Sequence, residues 1–336
     1  MDSQGLGSPA PAWGPRRRLE VALGLLWLLD AALQFQPAMF SKGSMVEALG
    51  MANMGLPATL SGVDYRLAGV LAANPVLWNS LLALLQVAIG AGLVFGRGRS
   101  VQAARVASVG WGVAVWVVGE GFGGVLLGGM SLLVGAPGAA VVYSLVTVAI
   151  WPPATGAAPG RRVRWARWSR RRDVFARISW AALWVGTGLL ELAAADHAAG
   201  VPAAQVIDGG FGEPGFVATM DRSVGHLLAG AGLPFAATLA AAAVLAGVGV
   251  LHSRSRRAAL LLGIAIAVFV GVAGQDLGGI LTGSANDPGT GPVLVLLALS
   301  LWPSATGRRQ VEVARPAGGT DHDSLWHRDR ATTAAA

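Results

Sequence analysis

The chain has 336 residues, of which 54% are hydrophobic and only 13% are charged, with a formal charge of +7. A soluble domain carries about 25% charged residues, so this chain is too poor in charge to cover a water-facing surface. It has no cysteine, which excludes disulfides, thiolate metal centres and a CxxC redox relay within the chain.

The composition fits an all-α integral membrane protein, because several apolar stretches reach the roughly 20 residues that a helix needs to cross a bilayer. The first lies near residues 19–36 and follows Arg16, Arg17 and Arg18. That start resembles a signal peptide. Asp30 interrupts the apolar run, however, and no A-x-A site follows, so the segment reads as an uncleaved first helix. A long polar segment containing Met45 to Met54 comes next and suits a short amphipathic helix or a lid. Further spans follow near 72–96, 102–128 and 136–151.

The basic stretch RRVRWARWSRRRD (161–173) then leads to four more spans, near 178–195, 227–251, 258–283 and 288–302. Val201 to Val217 lie between the first two of these. The last span of each group is short and begins near a Pro-Gly pair, Pro137-Gly138 or Pro288-Gly289. The division is therefore a tail (1–18), a four-helix unit (19–152), a basic linker (153–177), a second four-helix unit (178–303) and a polar tail without apolar period (304–336). In the linker, Trp165 and Trp168 suit lipid headgroups among arginines that grip anionic lipid, or simply a basic connector.

The two units match one another. GEGFGGVLLGG around Gly119 pairs with GQDLGGILTGS around Gly274 at an offset of 155. Trp27 pairs with Trp184, Gln34 with Glu191, Pro57 with Pro214 and Asp64 with Asp221 at an offset of 157. Trp151-Pro152 pairs with Trp302-Pro303 at an offset of 151. Matched polar, proline and tryptophan positions point to a tandem duplication rather than chance similarity of apolar helices.

Arginine sets the expected orientation. Arg16 to Arg18, Arg97, Arg99, Arg105, the run from Arg161 to Arg177, Arg254, Arg256, Arg257, Arg308 and Arg309 all fall on one side of the eight spans. The other side holds only Lys42, Arg66 and Arg222. Cytoplasmic loops carry the excess of basic residues, so both termini are expected inside. Four spans per unit make the units parallel, and the Ala-, Gly- and Arg-rich composition points to a bacterial inner membrane. The basic charge therefore speaks for a lipid bilayer as partner and against nucleic acid.

Ionisable groups within spans are costly and mark functional sites. Here they are Asp30, Glu120, Glu191 and Asp276, joined by the amides of Gln34, Gln86 and Gln275. Gln34 matches Glu191 and Glu120 matches Gln275, which suits one pseudo-symmetric polar pocket open to the outside. The residues support two readings: a ligand or ion site, or hydrogen bonds that lock the bundle. Gly119/Gly123, Gly124/Gly128, Gly274/Gly278 and Gly279/Gly283 have the small-xxx-small spacing of closely packed membrane helices.

Asp196, His197 and His226 form a weak metal-site candidate near the outer face. No histidine pair stands deep on facing helices, so a b-type haem has no evident ligands. No nucleotide loop, nucleophile elbow or HExxH occurs, and no residue is singled out as catalytic.

The opening RRLEVALGLLWLLDAALQFQP (17–37), the polar segment ending in GLP (55–57) and the helix end GAGLVFGRGRS (90–100) together resemble the DoxX-like family of small four-helix membrane proteins. The resemblance covers the first three helices of each unit. Leu33-Gln34 stand where that family's first helix often ends in Gly-Lys. The resemblance implies an accessory or assembly subunit that works beside a membrane protein partner. A small-solute or ion-coupled carrier and a quinone-interacting redox subunit are the alternative expectations, and no cofactor is specified.

Overall fold

A computed structural model describes residues 14–53, 56, 58–127, 131–152, 159–193 and 197–303. The described residues form helices and turns without a strand. The first helix, α1 (Pro15–Gln34), opens on a proline, whose missing N–H costs nothing at a helix start. Two helices, α2 (Lys42–Asn53) and α3 (Ala58–Ala73), occupy the polar segment after it. Next come α4 (Pro75–Phe95) and α5 (Arg99–Ala114). The Asn74 side chain caps α4 by accepting from the Leu77 amide at 3.2 Å, with Pro75 at the first turn. The short α6 (Ala139–Ile150) follows.

The next helix, α7 (Pro159–Ala193), has 35 residues and runs unbroken through the basic stretch. The segment expected to be a connector over 153–177 is therefore, from Pro159 onward, the first half of a helix. Residues 153–158, the tail 304–336 and the Trp165 and Trp168 side chains lie outside the described residues. The order of the first part then recurs: α8 (Val201–Gly209), α9 (Gly215–Leu228), α10 (Gly232–Gly249), α11 (Arg256–Phe269), a single turn α12 (Asp276–Gly279) and the short α13 (Thr290–Ser300).

Four helical stretches are long and apolar enough to cross a bilayer: Pro75–Phe95, Arg99–Gly119, Gly232–Gly249 and Arg256–Gly274. Their outward faces carry bare apolar side chains such as Phe95, Val106, Leu245 and Leu261. The helices α1 and α7 have the length but carry charges along it. With 12 and 11 residues, α6 and α13 rise only about 18 Å. They sit at the centre, packed against each other, with α6 also on α5 and α7 and α13 on α1 and α11. A helix that is apolar all round belongs in a core, and most residues of both are buried.

The stretches expected to continue to residues 128 and 283 stop earlier. Each ends in a π turn, Val115–Gly119 and Val270–Gly274. Four left-handed residues follow in both places: Gly121, Phe122, Gly123 and Gly124, then Asp276, Leu277, Gly278 and Gly279. This corrects the expected glycine faces. Gly123, Gly124, Gly278, Gly279 and Gly283 have positive φ and do not lie on continuous helices. Their role is conformational, since an L side chain there meets its own carbonyl. Gly119 and Gly274 close the π turns, and Gly128 lies outside the described residues.

The glycines that let helices touch are others. A Cβ on Gly24 would fall 2.9 Å from the Gly90 carbonyl of α4, and one on Gly90 would fall 2.8 Å from the Gly24 carbonyl of α1. Gly271 of the π turn after α11 and Gly291 of α13 meet likewise, a Cβ on either falling 2.9 or 2.7 Å from the other's Cα.

One end of α1, α4 and α5 is tied by charge. Arg105 Nε donates to Glu20 Oε1 at 2.6 Å, and Arg17 Nη1 donates to Glu20 Oε2 at 2.8 Å and to the Leu93 carbonyl at 2.7 Å. Glu20 and Arg105 are buried, so each needs the other: one charge left alone there would cost several kcal/mol. Arg172 is also buried and donates to the Trp151 carbonyl at the end of α6.

A bulky residue at the α1–α4 contact should separate the helices. We expect Gly90→Val to lower stability by about 2 kcal/mol, as overpacking does. Gly50→Ala, on a site with no neighbouring atom within 4 Å, should change little. Thermal unfolding of the two variants in detergent checks this.

Candidate functional site

The backbone breaks create the need that Glu120 meets. Because α6 begins inside the bundle, its first amides cannot turn to water. Glu120 Oε1, just before the break, accepts from the Ala140 amide at 3.0 Å. The matching residue of the second half does the same: Gln275 Oε1 accepts from the Thr290 amide of α13 at 2.8 Å, and Gln275 Nε2 donates to Thr290 Oγ1 at 2.8 Å. The residue before each short helix is a left-handed glycine, Gly138 or Gly289, and a Cβ on either would strike the capping side chain. Glu120 and Gln275 thus each hold a buried helix start in place.

Above α6 lies a chamber of about 400 Å³. Its walls come from α1 (Trp27, Asp30, Gln34), α4 (Trp78, Asn79, Gln86), α5 and its π turn (Trp111, Val115, Val118, Glu120) and α6 (Tyr143). Leu49 of α2 and Leu67 and Leu71 of α3 lie over it, and Asn286 and Asp287 close one side from far along the chain. Most of the lining is apolar or aromatic.

The floor is fully hydrogen-bonded. Trp27 Nε1 donates to Ser108 Oγ at 2.9 Å, Ser108 and Thr147 hydroxyls meet at 2.8 Å, and Thr147 donates to the Tyr143 carbonyl at 2.8 Å. Tyr143 in turn donates its hydroxyl to Asp30 Oδ1 at 3.0 Å. The walls are different. Asn79 is fully buried and uses its Nδ2 on the Gln34 carbonyl at 2.6 Å, which leaves Oδ1 without a partner. Gln86 Oε1, Trp111 Nε1 and Glu120 Oε2 are also buried without partners. A buried polar atom left unmade costs about 1–3 kcal/mol, so four around one hollow call for water or a ligand to meet them.

The expected site residues therefore separate. Asp30, Gln34 and Glu120 share the chamber. Gln275 lines a second, shallower hollow of about 490 Å³ with Gln205 and Asp208, and Asn286 and Asp287 border both hollows. Glu191 lines neither; its Oε2 accepts from the Leu132 amide at 3.0 Å and so ties α7 to the turn over Leu132–Val134. The single symmetric pocket is replaced by a chamber in the first half and a hollow beside it. His197 sits on the Leu192 carbonyl at 3.1 Å, Asp196 lies outside the described residues, and no group of three metal-ligating side chains occurs among the described residues, His226 included.

No family model, curated protein or solved structure matches the chain.

Asn79, Tyr143 and Asp287 escaped the sequence reading. Asn79 follows the Asn74-Pro75 helix start and reads as part of its flank. Tyr143 carries no charge to mark it, and Asp287 sits in a turn. Of the two wall amides with an unpartnered oxygen, Gln86 is legible as a lone amide in an apolar run and Asn79 is not.

Asp276 belongs to another group. It is buried and left-handed, and its carboxyl neighbours that of Asp221 from α9. Burial pushes the Asp221 carboxyl up from its usual value, and burial with the neighbouring Asp221 raises Glu213. A carboxyl raised in the folded state binds more protons than in the unfolded chain, so stability falls as pH climbs past the ordinary carboxylate range. We expect Asp221→Asn to raise the unfolding temperature at pH 8 more than at pH 4. Thermal melts of wild type and variant across that range test this.

For Glu120, the cap predicts a graded result. Glu120→Gln should keep the wild-type unfolding temperature, because Gln275 makes the same bond elsewhere. Glu120→Ala should lower stability by about 1–2 kcal/mol, as lost helix caps do. The same melts distinguish the two.

Proposed function

We propose that this chain is an eight-pass protein of a bacterial inner membrane, built as two tandem four-helix units, that holds a small, largely apolar molecule in the chamber of its first unit. The observation that carries the binding role is the set of buried polar atoms without protein partners around an otherwise apolar hollow. A chamber of this size and lining fits a small ligand whose body is apolar and whose polar atoms are few.

Several features support the membrane setting. Four helices have the length and apolarity for it, and their outward faces carry bare apolar side chains. The irregular backbone over 121–127 and 131–138 is tolerable at depth because most of its residues are shielded by protein. The two short helices would then serve as the fourth pass of each unit, deep in the bundle. The stranded arginines argue for both termini in the cytoplasm. Duplication is supported by the recurrence of π turn, left-handed quartet and capped short helix at the sequence offset of 155 for the first two.

The tandem reading also bears on the chamber. At the matching positions of the second unit, Asn79 is replaced by Ala236, Gln86 by Ala243 and Tyr143 by Leu294, all buried. The bundle therefore does not need these polar groups in order to pack. The chamber is a property of one unit, which favours a dedicated binding role over a structural one. We place the protein's work beside a membrane partner, as an accessory or assembly subunit of DoxX-like type. The wall that Asn286 and Asp287 share with the second hollow favours a second reading, a carrier that passes its ligand between the two.

Two experiments test this. The chain lacks cysteine, so single cysteines report cleanly: Thr219→Cys should label from outside intact cells and Ser253→Cys only after lysis. The reverse pattern would refute the orientation. Native mass spectrometry in mild detergent should find a small molecule retained by wild type. Asn79→Ala/Gln86→Ala, which installs the second unit's residues, should lose it and melt higher than ligand-stripped wild type. A wild-type protein without retained molecule, or a double variant that melts lower, would refute the binding role.

A further inference from the structure

The chamber's charge is one-sided. Three carboxyl groups border it, Asp30, Glu120 and Asp287. Asp30 accepts from Tyr143, Glu120 from the Ala140 amide and Asp287 from the Gly289 amide at 2.7 Å. All three are served by neutral donors. No lysine, arginine or histidine is among the described residues that line the hollow, and no ion pair among the described residues involves these three acids. The nearest basic residues of the covering helices, Lys42 and Arg66, are exposed. A buried acid group usually has a cationic partner or a dense set of donors. Here the partner is missing on the protein side.

The remaining lining says what form that partner takes. The amide oxygens of Asn79 and Gln86, each on a side chain more than nine-tenths buried, have no partners and only accept. Trp27, Trp78, Trp111 and Tyr143 border the hollow with aromatic rings, groups that attract an organic cation. An anionic ligand would meet three acids and two carbonyl dipoles with one indole N–H to offset them. A metal ion would need several convergent ligands, and no group of three Asp, Glu, His or Cys side chains that could hold one occurs among the described residues.

Resting on the binding role argued above, we propose that the chamber takes an amphipathic organic monocation: a protonated or quaternary amine on an apolar body. The cationic head sits among the carboxyls and aromatic rings, and the body fills the leucine- and valine-lined remainder. The second unit fits this assignment. Its cap is the neutral Gln275 where the first has Glu120, and Thr187 stands where the first has Asp30. At these two positions the carboxyl stands in the unit that holds the chamber and a neutral side chain in the other.

The test compares two probes of one shape in nanodiscs: benzyltrimethylammonium and its neutral carbon isostere, neopentylbenzene. Quenching of tryptophan emission reads binding, since three tryptophans border the chamber. The cation should bind saturably and more tightly than the isostere. Asp30→Asn/Glu120→Gln should weaken the cation about tenfold and leave the isostere unchanged, as expected when a charge-assisted contact becomes neutral. Both substitutions keep an acceptor for Tyr143 and for the Ala140 amide, and an unchanged melting temperature would verify the fold.

Equal binding of both probes, or a cation affinity that survives neutralisation, would overturn the cation assignment and leave a chamber for neutral ligands. If neither probe binds and wild type retains no native molecule, the binding role fails as well.

Discussion

Every other feature of this molecule depends on how two short helices begin inside it. A helix start carries amides that no turn of its own can satisfy, and burial removes water as an answer. Glu120 and Gln275 reach across a backbone break to meet that need. For the reach to work, the preceding helix must end where it does, the chain must turn sharply, and the residue before each short helix must lack a side chain. The π turns, the left-handed quartets and Gly138 and Gly289 meet these conditions in turn. The cap therefore fixes the length of α5 and α11, the depth of α6 and α13, and the space left above them.

That space is put to different use in the two halves. Beside Gln275 it is a shallow hollow bordered by Gln205 and Asp208. Around α6 it is left as a hollow with a satisfied floor and unsatisfied walls. The floor, running from the Trp27 indole through Ser108 and Thr147 to the Tyr143 carbonyl, shows how buried polarity looks when its purpose is structural: each donor has an acceptor. The walls lack that closure. The contrast within a few ångströms separates the groups that hold the bundle from those that await something else.

Much of the helical order was legible in the sequence. Long apolar runs located α4, α5, α10 and α11. The glycine clusters were visible but ambiguous. A Gly-x-x-x-Gly spacing serves a close helix contact and a helix break equally well, and only dihedral angles tell them apart. The contacts that do rely on glycine, Gly24 with Gly90 and Gly271 with Gly291, each pair positions on different helices, so no local spacing reveals them. Glu20 was hidden by its neighbours, since an acid beside three arginines at a helix start reads as a solvated flank. Asp30, Gln34 and Glu120 were found because charge and amide groups stand out in apolar runs. Their separation from Glu191 and Gln275 was not, because equal depth along a span says nothing about position around a bundle.

The wall formed by Asn286 and Asp287 has a consequence for how the molecule is made. Ribosomes deliver the chain from its first residue, and early segments generally fold before late ones emerge. The first half supplies the floor, the covering helices and two of the three acids, yet the side facing α13 stays open until Asn286 and Asp287 arrive. A nascent chain stopped after α6 would expose Asp30 and Glu120 to whatever surrounds it. Arrival of Asn286 and Asp287, rather than completion of the first half, is thus the event that seals the cavity, and a fragment severed after α6 is a different object from the same residues joined to α13.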